Sequence, residues 1–165
     1  MTEEHYRRLS APFRAEQRAK ALARANKTLT VLGYIAYPAL LAVLALTGRL
    51  DLLVRCIIVP GAAFAAVTLF RRAVNAPRPY EALDIDPLIK KDTAGKSFPS
   101  RHSFSLFMIA ISWLVVQPAL GCALLLCACA LGAIRVIGGV HFPRDVAAGA
   151  AAAALAGLIG YVLIP

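Results

Sequence analysis

The sequence predicts an all-α fold, a polytopic membrane bundle of about five transmembrane helices preceded by an N-terminal amphipathic helix at the bilayer interface. Three observations carry this reading. Of the 165 residues, 59% are hydrophobic and the mean hydropathy is +0.68, well above the apolar share of soluble globular chains. Apolar stretches recur at close to the length of a bilayer crossing, about 20 residues of helix. The basic residues gather between those stretches and at the N-terminus.

Only a helix or a closed barrel satisfies its backbone groups in hydrocarbon, so each apolar stretch reads as a helix. The first spans 29–47 and contains Pro38, a position for a kink; the second spans 52–70, with Arg55 near its start. Residues 48–51 form a tight connection. A polar, proline-containing segment, 71–101, is too hydrophilic to cross and makes the largest loop. Apolar character returns over 103–116, stops at Gln117 and Pro118, and resumes over 119–134. The last helix starts at Pro143, a residue suited to a first helical turn, and runs to 164 through the alanine-rich stretch 147–154, whose small side chains permit close packing.

Residues 1–28 form a basic segment ahead of a membrane domain over 29–165. Within it Tyr6, Leu9 and Phe13 recur at helical spacing, and Arg7, Arg8, Arg14, Arg18, Lys20, Arg24 and Lys27 cover much of the remainder, the pattern of an interfacial helix. Charge throughout 1–27 differs from a secretory signal, so the chain is expected to be mature as it stands. Cys56, Cys122, Cys127 and Cys129 all lie in apolar stretches without a C-x-x-C pair and report neither a disulfide framework nor a zinc site. The net charge of +9 does not require nucleic acid, because membrane topology and anion binding already account for where the basic residues sit.

Counting spans places the end of the second helix, the start of the third, the end of the fourth and the start of the fifth on one membrane face. These junctions carry Arg71 and Arg78; Ser100, Arg101 and His102; Arg135; and His141 and Asp145. Two of them are helix N-termini, whose unpaired N–H groups and positive dipole ends favour an anion. Ionisable groups near the membrane are costly and concentrate at functional sites, so the set together points to a phosphate site. His141 and Asp145, four residues apart, share a helical face, as needed for a carboxylate to orient an imidazole; the same spacing alone also suits a surface pair or half of a metal site.

At these residues the sequence resembles the type 2 phosphatidic acid phosphatase superfamily, which includes the vanadium haloperoxidases and carries the signature K-x6-R-P, P-S-G-H, S-R-x5-H-x3-D. The chain has Arg71-x6-Arg78-Pro79, then Pro99-Ser100-Arg101-His102, then Arg135-x5-His141-x3-Asp145. It departs from the signature in Arg71 for Lys, Arg101 for Gly, and Ile134 for the Ser before Arg135. The resemblance implies that His141 is the nucleophile, that Asp145 orients it, and that His102 protonates the leaving oxygen. It further implies that Arg71, Arg78, Ser100, Arg101 and Arg135 hold the phosphate, with no metal and no cofactor. The apolar mass makes the expected partner a lipid phosphate in the bilayer: phosphatidic acid, phosphatidylglycerol phosphate, or a polyprenyl phosphate or diphosphate. Alternatives are phosphate transfer to another lipid and a non-catalytic phospholipid-binding or transport component. Seven Lys and Arg fall in 1–27 and seven in 71–101, against Arg49 and Arg55 on the opposite side; the positive-inside rule then puts the site on the cytoplasmic face of the cell membrane.

Overall fold

In a computed structural model, which describes residues 1–91 and 93–163, the described chain is helical throughout its regular structure. The order is α1 (Glu3–Ser10), α2 (Glu16–Leu46), α3 (Leu50–Val74), a single-turn α4 (Pro79–Ala82), α5 (Arg101–Val116), α6 (Pro118–Ile137) and α7 (Pro143–Leu158), which continues as a π-helical turn, Ile159–Leu163. Four helical segments are long and apolar enough to cross a bilayer. The fifth apolar helix, α5, has only 16 residues. It packs most extensively against α6 and α7 and also meets α2 and α3, with Phe104, Leu106, Met108, Ala110 and Trp113 buried. A helix enclosed in this way meets protein rather than lipid, which relaxes the length requirement of a bilayer crossing.

The first span differs from the sequence expectation. Thr2 caps α1 by accepting from the His5 N–H, and the chain turns through a short 3-10 segment, Ala11–Phe13, at Pro12. From Glu16 a single helix then runs through the 28/29 boundary to Leu46. Its 31 residues extend roughly 46 Å, well beyond the ~30 Å of hydrocarbon. The cause is local: Ala, Arg, Lys, Gln and Leu in 16–25 are strong helix formers, and nothing between Glu16 and the apolar stretch interrupts them. The amphipathic portion is thus confined to α1, which folds back over the loop between α4 and α5.

Both long N-terminal helices contain an internal proline, Pro38 in α2 and Pro60 in α3. Pro60 has no N–H for the carbonyl four residues earlier, that of Cys56, and Tyr37 supplies the missing donor with its hydroxyl at 3.0 Å. The same hydrogen bond ties α2 to α3. Trp113 Nε1 donates to the Ala36 carbonyl at 2.9 Å, joining α5 to α2 inside the cluster formed by Leu40, Leu44, Cys56 and Leu124. On the other side of α5, Gly149 of α7 lies so close that a Cβ there would stand 2.6 Å from the Ser100 carbonyl oxygen. That contact brings the N-termini of α5 and α7 side by side.

Candidate active site

The helix ends that parity placed on one face do converge. Asp145, in the first turn of α7, is fully buried, and its Oδ2 accepts from Ser97 Oγ at 2.5 Å and from the Phe142 N–H at 2.9 Å. His141 Nδ1 lies 3.4 Å from the same oxygen and 3.3 Å from Ser97 Oγ. Ser97 has one hydroxyl hydrogen and gives it to the carboxylate, so its oxygen can only accept from the imidazole. The proton therefore sits on Nδ1, and the lone pair of Nε2 is unprotonated. Burial pushes the His141 imidazole down to about 4, with Asp145 opposing the shift and Arg135 and Arg78 reinforcing it. A neutral imidazole oriented through Nδ1 has a nucleophilic Nε2 at ordinary pH.

The arginines are held by the loop that they organise. Arg71 donates through Nη1 to the carbonyls of Ser97 and Pro99, and through Nη2 to that of Lys96. Arg78 donates from Nε to the Gly95 carbonyl at 3.0 Å and from Nη1 to that of Val140 at 3.2 Å, bridging the loop to the residue before His141. Glu81 completes the local fold by accepting from the N–H groups of Arg78 and Gly95 at 2.8 and 2.9 Å. The Phe98–Pro99 peptide is cis. Arg135, at the end of α6, donates to Asn26 Oδ1 at 3.2 Å and approaches His102 Nδ1 at 2.8 Å. A guanidinium has only donors, so His102 accepts through Nδ1 and carries its hydrogen on Nε2.

Arg71, Arg78, Arg101, His102 and His141 all line one polar cavity of about 430 Å³. Arg135 touches it through His102. Ser100 is placed differently: its hydroxyl caps α5, accepting from the Ser103 N–H at 3.4 Å and from Ser103 Oγ at 3.0 Å, while its own N–H donates to the Asp145 carbonyl at 2.8 Å. Arg101 reaches outward, its guanidinium 5.6 Å from the Phe64 ring centroid. Beside it, Arg101 and His102 also line a second cavity of about 210 Å³. This one shares Gly33, Tyr34, Phe64 and Ile109 with a predominantly apolar groove of about 430 Å³ between α2, α3 and α5.

Three residues at or near the site have no signal in the motifs. Ser97 is buried against the His141–Asp145 pair. Lys91 lines the polar cavity. Tyr6 of α1, also fully buried, donates to the Asp86 carbonyl at 3.2 Å and accepts from the Leu88 N–H at 3.3 Å. Arg14 adds an ion pair to Asp86 at 3.0 Å. Gly139, two residues before His141, has φ +75° and a backbone so close to Tyr6 that a Cβ would stand 2.8 Å from the phenol oxygen. Only the alternation of Tyr6 with basic residues hinted at a buried face on α1, and it did not say against what.

A family model for the PAP2 superfamily matches residues 50–165, and the chain belongs to that superfamily. Over 88 residues it is 34% identical to the lipid A 1-phosphatases of Rhizobium etli and Rhizobium johnstonii, covering 50% of this chain. The matched stretch makes up 38% and 36% of those relatives, respectively, so the similarity spans under two fifths of their length. The crystal structure of Aquifex aeolicus LpxE superposes with a TM-score of 0.74 at 25% identity, over 96% of this chain and 93% of that one. The protein is thus an all-helical membrane member of the superfamily.

Tyr6 is the only buried apolar anchor of α1. Tyr6→Ala should lower the stability of the α1 and loop contact by about 3 kcal/mol and release the loop. Limited tryptic digestion of detergent-solubilised protein should then cut at Lys90, Lys91 or Lys96 several-fold faster than in wild type, and unchanged cutting would contradict the clamp.

Proposed function

We propose that the protein is a membrane lipid phosphatase that cleaves a phosphate ester or anhydride of a lipid through a phosphohistidine intermediate. One observation carries the reading: an imidazole with a free Nε2, fixed by a buried carboxylate, opens on a cationic cavity whose wall residues Arg101 and His102 also line a smaller space that shares its wall with an apolar groove. A lipid can then put its phosphate against His141 while its chain stays among α2, α3 and α5. The relatives named as lipid A 1-phosphatases support the lipid class.

His141 Nε2 attacks phosphorus, the N–P bond forms, and the P–O bond to the lipid breaks with its electron pair on the leaving oxygen. Asp145 and Ser97 stabilise the positive charge that develops on the imidazole. Arg71, Arg78 and Arg135 face the phosphoryl oxygens, where fixed donors in a water-poor site stabilise the transition state strongly. His102 stands on the leaving-group side. A bound phosphate gives Arg135 an anionic acceptor in place of His102 Nδ1, which frees that nitrogen to take a proton; substrate binding and loading of the acid are thereby coupled. Water then attacks phosphorus, the N–P bond breaks, and inorganic phosphate leaves.

Phosphate release from phosphatidic acid, phosphatidylglycerol phosphate and polyprenyl phosphates, measured in EDTA, tests the reaction. His141→Ala should reduce it by at least ~10³-fold. Equal release by wild type and variant would overturn the mechanism, and a lipid product heavier by one phosphate would indicate transfer instead of hydrolysis.

The pH dependence follows from the site. Protonation of His141 removes its nucleophilic lone pair, and its pKa is pushed down to about 4. The acid limb of kcat/KM should therefore fall near pH 4 rather than near 6.5; a limb at 6.5 assigned to His141 would contradict its burial. The sign for folding is the same: with the folded value below the unfolded one, stability is full above about pH 6.5 and declines between there and about 4.

The basic excess on the α1 and site face supports a cytoplasmic site, since the N-terminal cations lie on that face without entering the cavity. A Lys90→Cys variant in a chain with its four native cysteines replaced should then resist an impermeant thiol reagent on intact cells, and labelling would reverse the assignment.

A further inference from the structure

Asn26 lies in the interior of α2, within a run of Ala, Arg, Lys and Leu, where an asparagine caps nothing and forms helix less readily than its neighbours. A residue that costs local stability at such a position has its use in tertiary structure. Its side-chain Oδ1 accepts from Arg135 Nη1 at 3.2 Å, across 109 residues of chain. The other terminal nitrogen of the same guanidinium, Nη2, is 2.8 Å from His102 Nδ1. Asn26, Arg135 and His102 therefore form one chain of hydrogen bonds, from α2 through the end of α6 to the start of α5.

Arg135 is buried, forms no ion pair among the described residues, and keeps its Nε without a hydrogen-bond partner. A cation so placed is costly until an anion joins it. His102 lines the cationic cavity together with His141, and Arg135 does not. The acceptor that α2 supplies is an amide, which orients the guanidinium and leaves its charge whole. A carboxylate at the same point would neutralise it. The family match begins at residue 50, so this acceptor comes from outside the segment that carries the signature residues.

We propose that Asn26 is a positioning residue for the phosphate site. It anchors Arg135 through Nη1, so that Nη2 can exchange its acceptor, from His102 Nδ1 in the free protein to a phosphoryl oxygen when a phosphate is bound. This rests on the phosphatase reading of the same site. A bound phosphate draws Nη2 from His102 toward the cavity while Nη1 stays on α2. Without the anchor, Arg135 neither holds His102 in one tautomer nor waits at a fixed place for the anion. With a carboxylate as anchor the hydrogen bond remains, but the charge that attracts the phosphate is cancelled.

Calorimetric titration of the detergent-solubilised full chain with methylphosphonate, together with nitrogen NMR of isotope-labelled histidines, tests the anchor without turnover. Wild type should show His102 as a single neutral tautomer with its hydrogen on Nε2, and Asn26→Ala should show both tautomers. Asn26→Asp, which keeps an acceptor of the same shape, should keep the single tautomer yet weaken methylphosphonate binding about tenfold. Thr28→Asp, which adds the same charge at an exposed position of the same helix, should weaken it by less than about twofold. The comparison of the two Asp variants stands even where Asn26→Ala does not fold. A single tautomer preserved in Asn26→Ala, unchanged affinity in Asn26→Asp, or equal weakening by Thr28→Asp would overturn the proposal. Phosphate release separates the two ideas. The expected tautomer and binding pattern with no release from any lipid phosphate would remove the phosphatase reading and keep the anchor. Release that depends on His141, with neither effect in the Asn26 variants, would do the reverse.

Discussion

The buried carboxylate of Asp145 is the point at which the separate parts of the molecule meet. Its Oδ2 gathers Ser97 from the long loop, the Phe142 N–H from the start of its own helix and the imidazole of His141, while its main-chain carbonyl accepts from Ser100 at the start of α5. A carboxylate this deep is tolerable only when donors surround it. The donors come from two chain segments far apart in sequence, 97–100 and 141–142, so satisfying this one residue aligns α5, α7 and the end of the loop together. The hydrogen on Nδ1 of His141, and hence the lone pair on Nε2, follows from that arrangement.

A second constraint is electrostatic. Arg71, Arg78 and Arg135 are all buried, an arrangement that repels itself, and among the described residues none of the three forms an ion pair with a carboxylate. Backbone carbonyls of the loop at Gly95, Lys96, Ser97 and Pro99, with that of Val140 before α7, take up the donors of Arg71 and Arg78. Carbonyl dipoles orient the guanidinium groups without cancelling their charge, so the cavity keeps a positive potential for an anion. The same bonds give the polar loop its shape: the arginines act as its core. Tyr6 and Arg14 secure the opposite side of that loop from α1, which makes the N-terminal helix part of the support of the site although it contributes no atom to the cavity.

The bundle supplies the remaining requirement, a place for a chain beside a place for a charge. Close approach of α7 at Gly149 sets α5 into the centre of the helices, and the polar end of α5 presents Arg101 and His102 to both spaces. Pro60 matters here through what it lacks. The donor from Tyr37 restores the bond that proline removes, and both residues then form part of the wall of the apolar groove.

Much of this was readable before any coordinates. Hydropathy located the crossing segments because the demand for backbone satisfaction in hydrocarbon acts on each segment by itself. The four-residue spacing of His141 and Asp145 predicted their contact but not its cause. His141 precedes Phe142, the N-cap of α7, so the two meet through the turn that starts the helix and not on a shared helical face. Span parity brought Arg71, Arg78, His102, Arg135 and His141 to one face. The tertiary structure decided what depends on contacts between distant segments. Ser97 reaches Asp145 across 48 residues, Tyr6 reaches the Asp86 carbonyl across 80, and Trp113 reaches the Ala36 carbonyl across 77. It also decided that the Ser100 hydroxyl caps a helix and that the basic stretch 16–27 continues into the first span. Local spacing and hydropathy act within one turn or one segment, whereas the partner of a buried donor depends on how whole helices pack, and no residue carries that information alone.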